Sequence, residues 1–120
     1  MTRKTDLIAM AEKLEVAMDP TYELFAEAVE LITAHKITAR RLKVRAAAHC
    51  GYWTSAAEML VPEGWLIIRL SELGQAGACE VFLGCTGNDT SSLSDHGART
   101  PALALAAAAC RAHSGMCDDN

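Results

Sequence analysis

His49, Cys50, Cys79, Cys85, His96 and His113 carry the donor atoms a transition metal takes, and a thiol or hydroxyl beside a histidine is the minimum for nucleophilic catalysis. Structural zinc sites pair their ligands two to four residues apart. Only His49-Cys50 is close here, and two adjacent residues have the wrong local geometry to chelate together. The thiols therefore read as buried small hydrophobes and the imidazoles as surface groups. Cys85, with Asp95-His96 at the far end of the same polar stretch, brings a nucleophile and a base into one segment. So many Ser and Thr share that segment that the coincidence carries little weight. Asp89 and Asp95 sit in turn-prone sequence, where aspartate is ordinary. Gly84-Cys85-Thr86-Gly87-Asn88-Asp89-Thr90 has the glycines of a phosphate loop but lacks the Gly-Lys-Ser/Thr that makes one, leaving at most backbone N–H groups for an anion. No catalytic residue, metal ligand or cofactor is assigned.

Binding chemistry is better supplied. Tyr52, Trp53 and Trp65 are three of the six aromatic residues, and Thr54 and Ser55 add hydrogen-bonding groups beside them. Flat rings stack on bases, and arginines grip phosphate in a fork. With Arg40, Arg41, Arg45 and Arg99, this set outlines a pocket for a small nucleotide-like ligand. The competing expectation is that Trp65 plugs the core while Tyr52 and Trp53 cover its edge. A second feature is Lys36, Arg40, Arg41, Lys43 and Arg45, five of the eleven basic residues within ten positions. It reads as a solvated helix face neutralised by the acidic helix before it, or as a face that engages an acidic partner.

These residues must be positioned by helices first. Leu7, Met10, Ala11, Leu14 and Met18 recur at helical spacing behind Thr5 or Asp6, either of which can cap. Asp19-Pro20 predicts the next start, with Leu24, Phe25, Ala28, Val29 and Ile32 as one apolar stripe to about His35. A third helix is expected over 38–48, with Ile37, Arg41, Val44 and Ala48 on one side, closed by Gly51. A short helix follows at 56–60, for which Ser55 with Glu58 matches a capping box. Val61-Pro62 must stop it, and Glu63-Gly64 turns the chain into a strand over 65–70. Gly74 to Gly77 predicts a turn into a return strand over 79–83, and Gly84 to Gly97 a long polar loop. Thr100-Pro101 opens a last helix, apolar nearly all round, from Ala102 to about His113.

A length of 120 residues and 51% hydrophobic content predict one globular domain over 1–120: a helical part at about 5–50, a motif-bearing part at about 52–113, and a frayed tail at 114–120. Much of the apolar content is alanine, which buries little area, so the core is expected to lean on homo-oligomerisation. A net charge of -4 argues against direct nucleic-acid binding by the whole surface. The polar start, and a longest apolar run of ten residues from Pro101 to Cys110, predict neither a signal peptide nor a membrane span. A cytoplasmic setting is expected. The odd set of five cysteines holds no C-x-x-C, and Cys117 reads as a free thiol.

Val61-Pro62-Glu63-Gly64-Trp65, followed by Ala98-Arg99-Thr100-Pro101-Ala102-Leu103-Ala104-Leu105 and then Cys110-Arg111-Ala112, resembles the phage ABA-sandwich domain family over about residues 52 to 113. Family members approach the first motif through tyrosine, serine or threonine, and an aspartate; here Tyr52-Trp53-Thr54-Ser55 runs directly into Ala56-Ala57 without that acid. The resemblance implies a phage or prophage accessory protein acting in a bacterial host. The expected fold class is α+β, a three-layer helix/sheet/helix sandwich with a small antiparallel sheet. The expected function is non-enzymatic counter-defence by sequestering a nucleotide-derived signal. The alternative is an inhibitor or adaptor that binds a host defence protein through the basic helix 36–45.

Overall fold

A computed structural model of the chain describes residues 3–34, 36–73, 78–85, 91–93 and 98–115. Five helices dominate: α1 Arg3–Val16, α2 Tyr22–Ile32, α3 Ala39–His49, α4 Trp53–Glu58 and α5 Pro101–Gly115. Three strands, β1 Trp65–Leu73, β2 Ala78–Cys85 and β3 Ser91–Leu93, pair antiparallel in the order β1-β2-β3. The β1/β2 register runs from Trp65 opposite Cys85 to Leu73 opposite Ala78, with an irregularity between Ile67 and Arg69. β3 falls inside the segment expected to be a polar loop; the turn predicted over 74–77 and most of that loop lie outside the described residues.

Each helix follows its apolar stripe. Leu7, Met10, Ala11 and Leu14 of α1 are buried, as are Phe25, Ala28, Val29 and Ile32 of α2. Alanine supplies α5: every residue from Ala102 to Cys110 is buried. A helix of such small side chains is thin, so neighbours can approach it from all sides. α5 packs against α1, α4, α2 and all three strands. Thr100 caps it, its Oγ1 accepting from the Leu103 N–H at 3.1 Å, and Pro101 takes the first helical position, where no N–H is needed.

That placement overturns the expected fold class. The chain is mostly helical, and α5 alone among the helices packs extensively on the strands. The sheet is therefore not the middle layer of a helix/sheet/helix sandwich. The middle is α5, with α1 and α4 against it and the strands lying on it. Apolar periodicity identifies which faces are buried but not the order in which layers stack.

Several boundaries also move. α1 spans Arg3–Val16, so Thr5 and Asp6 lie inside it, and Met18 lies beyond its end, 62% exposed. The cap of α2 is Thr21, whose Oγ1 accepts from the Leu24 N–H at 3.2 Å, in place of Asp19. Thr38 caps α3 through the Arg41 N–H at 3.2 Å, and Gly51 closes that helix with φ of +79°. α4 starts three residues early, with Tyr52 at the cap position making no side-chain bond, so the capping box at Ser55 is not formed. Pro62 and Gly64 make the turn as expected: the Trp65 N–H donates to the Pro62 carbonyl at 3.1 Å, and Gly64 has φ of +87°.

Candidate functional site

α3 runs antiparallel to α2, which brings its arginines over the acidic side of that helix. Glu30 sits between two of them: Arg41 Nε forms an ion pair with its carboxylate, and Arg45 Nη1 approaches the same oxygen at 3.5 Å. Arg45 Nε also donates to the Tyr22 hydroxyl at 3.0 Å, and its guanidinium lies 5.9 Å from the centre of the Tyr22 ring. The Tyr22 hydroxyl, foremost, and the Glu30 carboxylate hold Arg45 above its ordinary range. Neutralisation by the preceding acidic helix thus holds for Arg41 and Arg45. Lys36 and Lys43 are exposed and make no ion pair with that helix among the described residues, while Arg40 is half-buried.

Beside those lysines stand two apolar side chains. Ile37 is 79% exposed and Leu42 61% exposed. Ile37 was expected on the buried side with Val44 and Ala48. It precedes the first helical residue, so helical periodicity does not govern where it points. No acidic residue occurs between Glu30 and Glu58, and this face combines exposed positive charge with accessible hydrocarbon.

The expected aromatic set divides. Trp53 packs on Phe25, ring centres 5.5 Å apart, and becomes part of the core wall. Trp65 is half-buried against the core. Tyr52, Thr54 and Ser55 are exposed on α4 and its approach, and Arg99 is exposed just ahead of the Thr100 cap. Among the described residues, the arginine stacked on a ring is Arg45, over Tyr22. Sequence reading passed over Tyr22, because its partners Arg45 and His49 lie 23 and 27 positions away and no local pattern joins them.

Of the other polar candidates, His113 and Cys110 are structural. His113 is buried, and its Nε2 lies 2.8 Å from the Leu60 carbonyl at the end of α4. Burial pushes this imidazole down to about 4, aided by the positive charges of Arg40 and Arg3 and opposed by the Leu60 carbonyl. The ring is therefore neutral near pH 7, and it is Nε2–H that donates, since a carbonyl can only accept. Burial also pushes the Cys110 thiol up to about 12, which keeps it protonated and inert, whereas Cys50 is exposed. The side chains of Cys79, Cys85, Asp89, Asp95 and His96 lie outside what the structure describes. Among the described residues no three His, Cys, Asp or Glu side chains group to hold a metal ion. Nor is any described helix long and apolar enough to cross a membrane. No protein-family model, no curated protein and no solved structure matches the chain.

Proposed function

We propose that this chain is a binding protein that docks through the outer face of α3 onto an acidic, partly apolar surface of a partner protein. The observation that carries this reading is Ile37 and Leu42 standing exposed beside Lys36 and Lys43. Solvated lysines steer an acidic partner and the hydrocarbon supplies contact area once it arrives. In the phage setting implied by the resemblance, that partner is a host defence complex. Sequestration of a nucleotide-derived signal draws less support, because Glu30 already occupies Arg41 and Arg45 and Trp53 is committed to Phe25.

The test places a photo-crosslinking residue at Leu42, identifies the captured bacterial protein, and measures its affinity after purification. Affinity is expected to fall at least tenfold in Lys36→Glu/Lys43→Glu and to weaken steeply with added salt. Glu12→Lys, an exposed change on α1, is expected to leave it unchanged. Equal affinity for the wild type and the double variant overturns the proposal.

A further inference from the structure

Among the described residues five large hydrophobic side chains stand exposed, and four of them fall into two patches of opposite charge. Ile37 and Leu42 lie beside Lys36 and Lys43. Val16 and Met18 flank Ala17 where α1 ends; Ala17 turns in against the core, and both neighbours turn out. Asp19 and Glu23 are exposed just beyond them and make no ion pair among the described residues. Other charges of that corner are already matched, Glu15 by Arg111 and Lys13 by Glu27. One patch is thus hydrocarbon edged with acid, the other hydrocarbon edged with base.

Their places in the fold are as complementary as their charges. The Tyr22 contact with Arg45 and the Glu30 contact with Arg41 set α2 and α3 antiparallel. The acidic patch therefore sits where α2 begins and the basic patch where α3 begins. These are opposite ends of the hairpin, separated by the length of an eleven-residue helix, about 16 Å. A single chain does not bring the patches together, whereas two chains laid antiparallel make the contact twice and close.

From this arrangement we propose that the chain forms a two-fold homodimer in which Val16, Met18, Asp19 and Glu23 of one copy seat against Lys36, Ile37, Leu42 and Lys43 of the other. Pairing either patch with its own kind sets equal charges opposite one another, which disfavours that arrangement. Making the mixed contact twice doubles the hydrocarbon removed from water, the addition an alanine-rich core calls for. The dimer covers the same face of α3 that the proposed partner uses, so a second copy and an acidic partner compete for it. Dimerisation itself does not depend on that partner.

Sedimentation equilibrium of the full chain over a wide concentration range tests the dimer. A monomer–dimer equilibrium is expected, weakening at least tenfold from low to high salt. Lys36→Glu/Lys43→Glu and Asp19→Lys/Glu23→Lys are each expected to weaken it at least tenfold. An equimolar mixture of the two variants is expected to dimerise as the wild type does, because both contacts of the mixed dimer again join opposite charges. Asp19→Lys/Glu23→Lys keeps the α3 face intact, so failure of this variant to hold an acidic partner counts against the docking reading alone. A chain that stays monomeric at every concentration, a dimer unmoved by either double change, or two weakened variants that do not recover on mixing overturns the inference.

Discussion

His113 couples protonation to folding because the unfolded chain titrates near its ordinary 6.5 and the folded ring near 4. Between those values the unfolded state binds the proton and the folded state does not, so stability falls as pH drops through that window. The steepest loss is about 1.4 kcal/mol per pH unit. His113→Gln keeps a side-chain donor for the Leu60 carbonyl and removes the titration. Urea denaturation at a series of pH values is expected to show wild-type stability declining relative to that variant between pH 6.5 and 4. Parallel curves for the two proteins contradict the assignment.

At the scale of elements, the connection between α2 and α3 stores strain. Ala34 has φ of +55°, a left-handed conformation that costs a residue with a Cβ about 1 to 2 kcal/mol. Glycine at this helix end removes that cost but brings more freedom to the unfolded chain, about 0.5 to 1 kcal/mol in the other direction. Ala34→Gly is expected to raise stability by up to about 1 kcal/mol, read from the midpoint of urea unfolding with its slope unchanged. This alanine gave no sign in the sequence, where glycine or asparagine would have announced the turn. The apolar stripes of α1 and α2 were legible because burial imposes the helical period on side-chain type. Caps were less so: Asp19, Thr21, Thr5 and Ser55 all have the chemistry, and the flanking backbone decides which is used. Of the candidate site, the charge on α3 could be read directly, and so could its opposition to an acidic helix. Which two arginines Glu30 takes depends on how α2 and α3 pack, which no local pattern encodes.

For the whole molecule, one long-range tie joins residues 15 and 111. Arg111 grips Glu15 with two bonds, Nε to Oε2 at 3.0 Å and Nη2 to Oε1 at 2.8 Å, joining α5 to α1. The Glu15 side chain is only 6% exposed, so removing the arginine alone strands a carboxylate away from water. Arg111→Met is expected to cost about 3 kcal/mol, and Glu15→Gln added to it to restore part of that loss. Equilibrium unfolding of the single and double variants checks this; a double variant as unstable as the sum of both single changes argues against the pairing. The same scale explains why the sandwich expectation failed. An apolar helix was evident in the sequence, but whether it covers a sheet from outside or fills the middle depends on which elements reach it.

Because α1, α2, α4 and the strands all rest on α5, that helix acts as an index for the assembly. Each residue added or removed inside it turns everything downstream by about 100° and slides it by about 1.5 Å. One such step between Pro101 and Cys110 swings Arg111 off Glu15 and His113 off Leu60 together. Change in this helix is thereby confined to substitution at constant length.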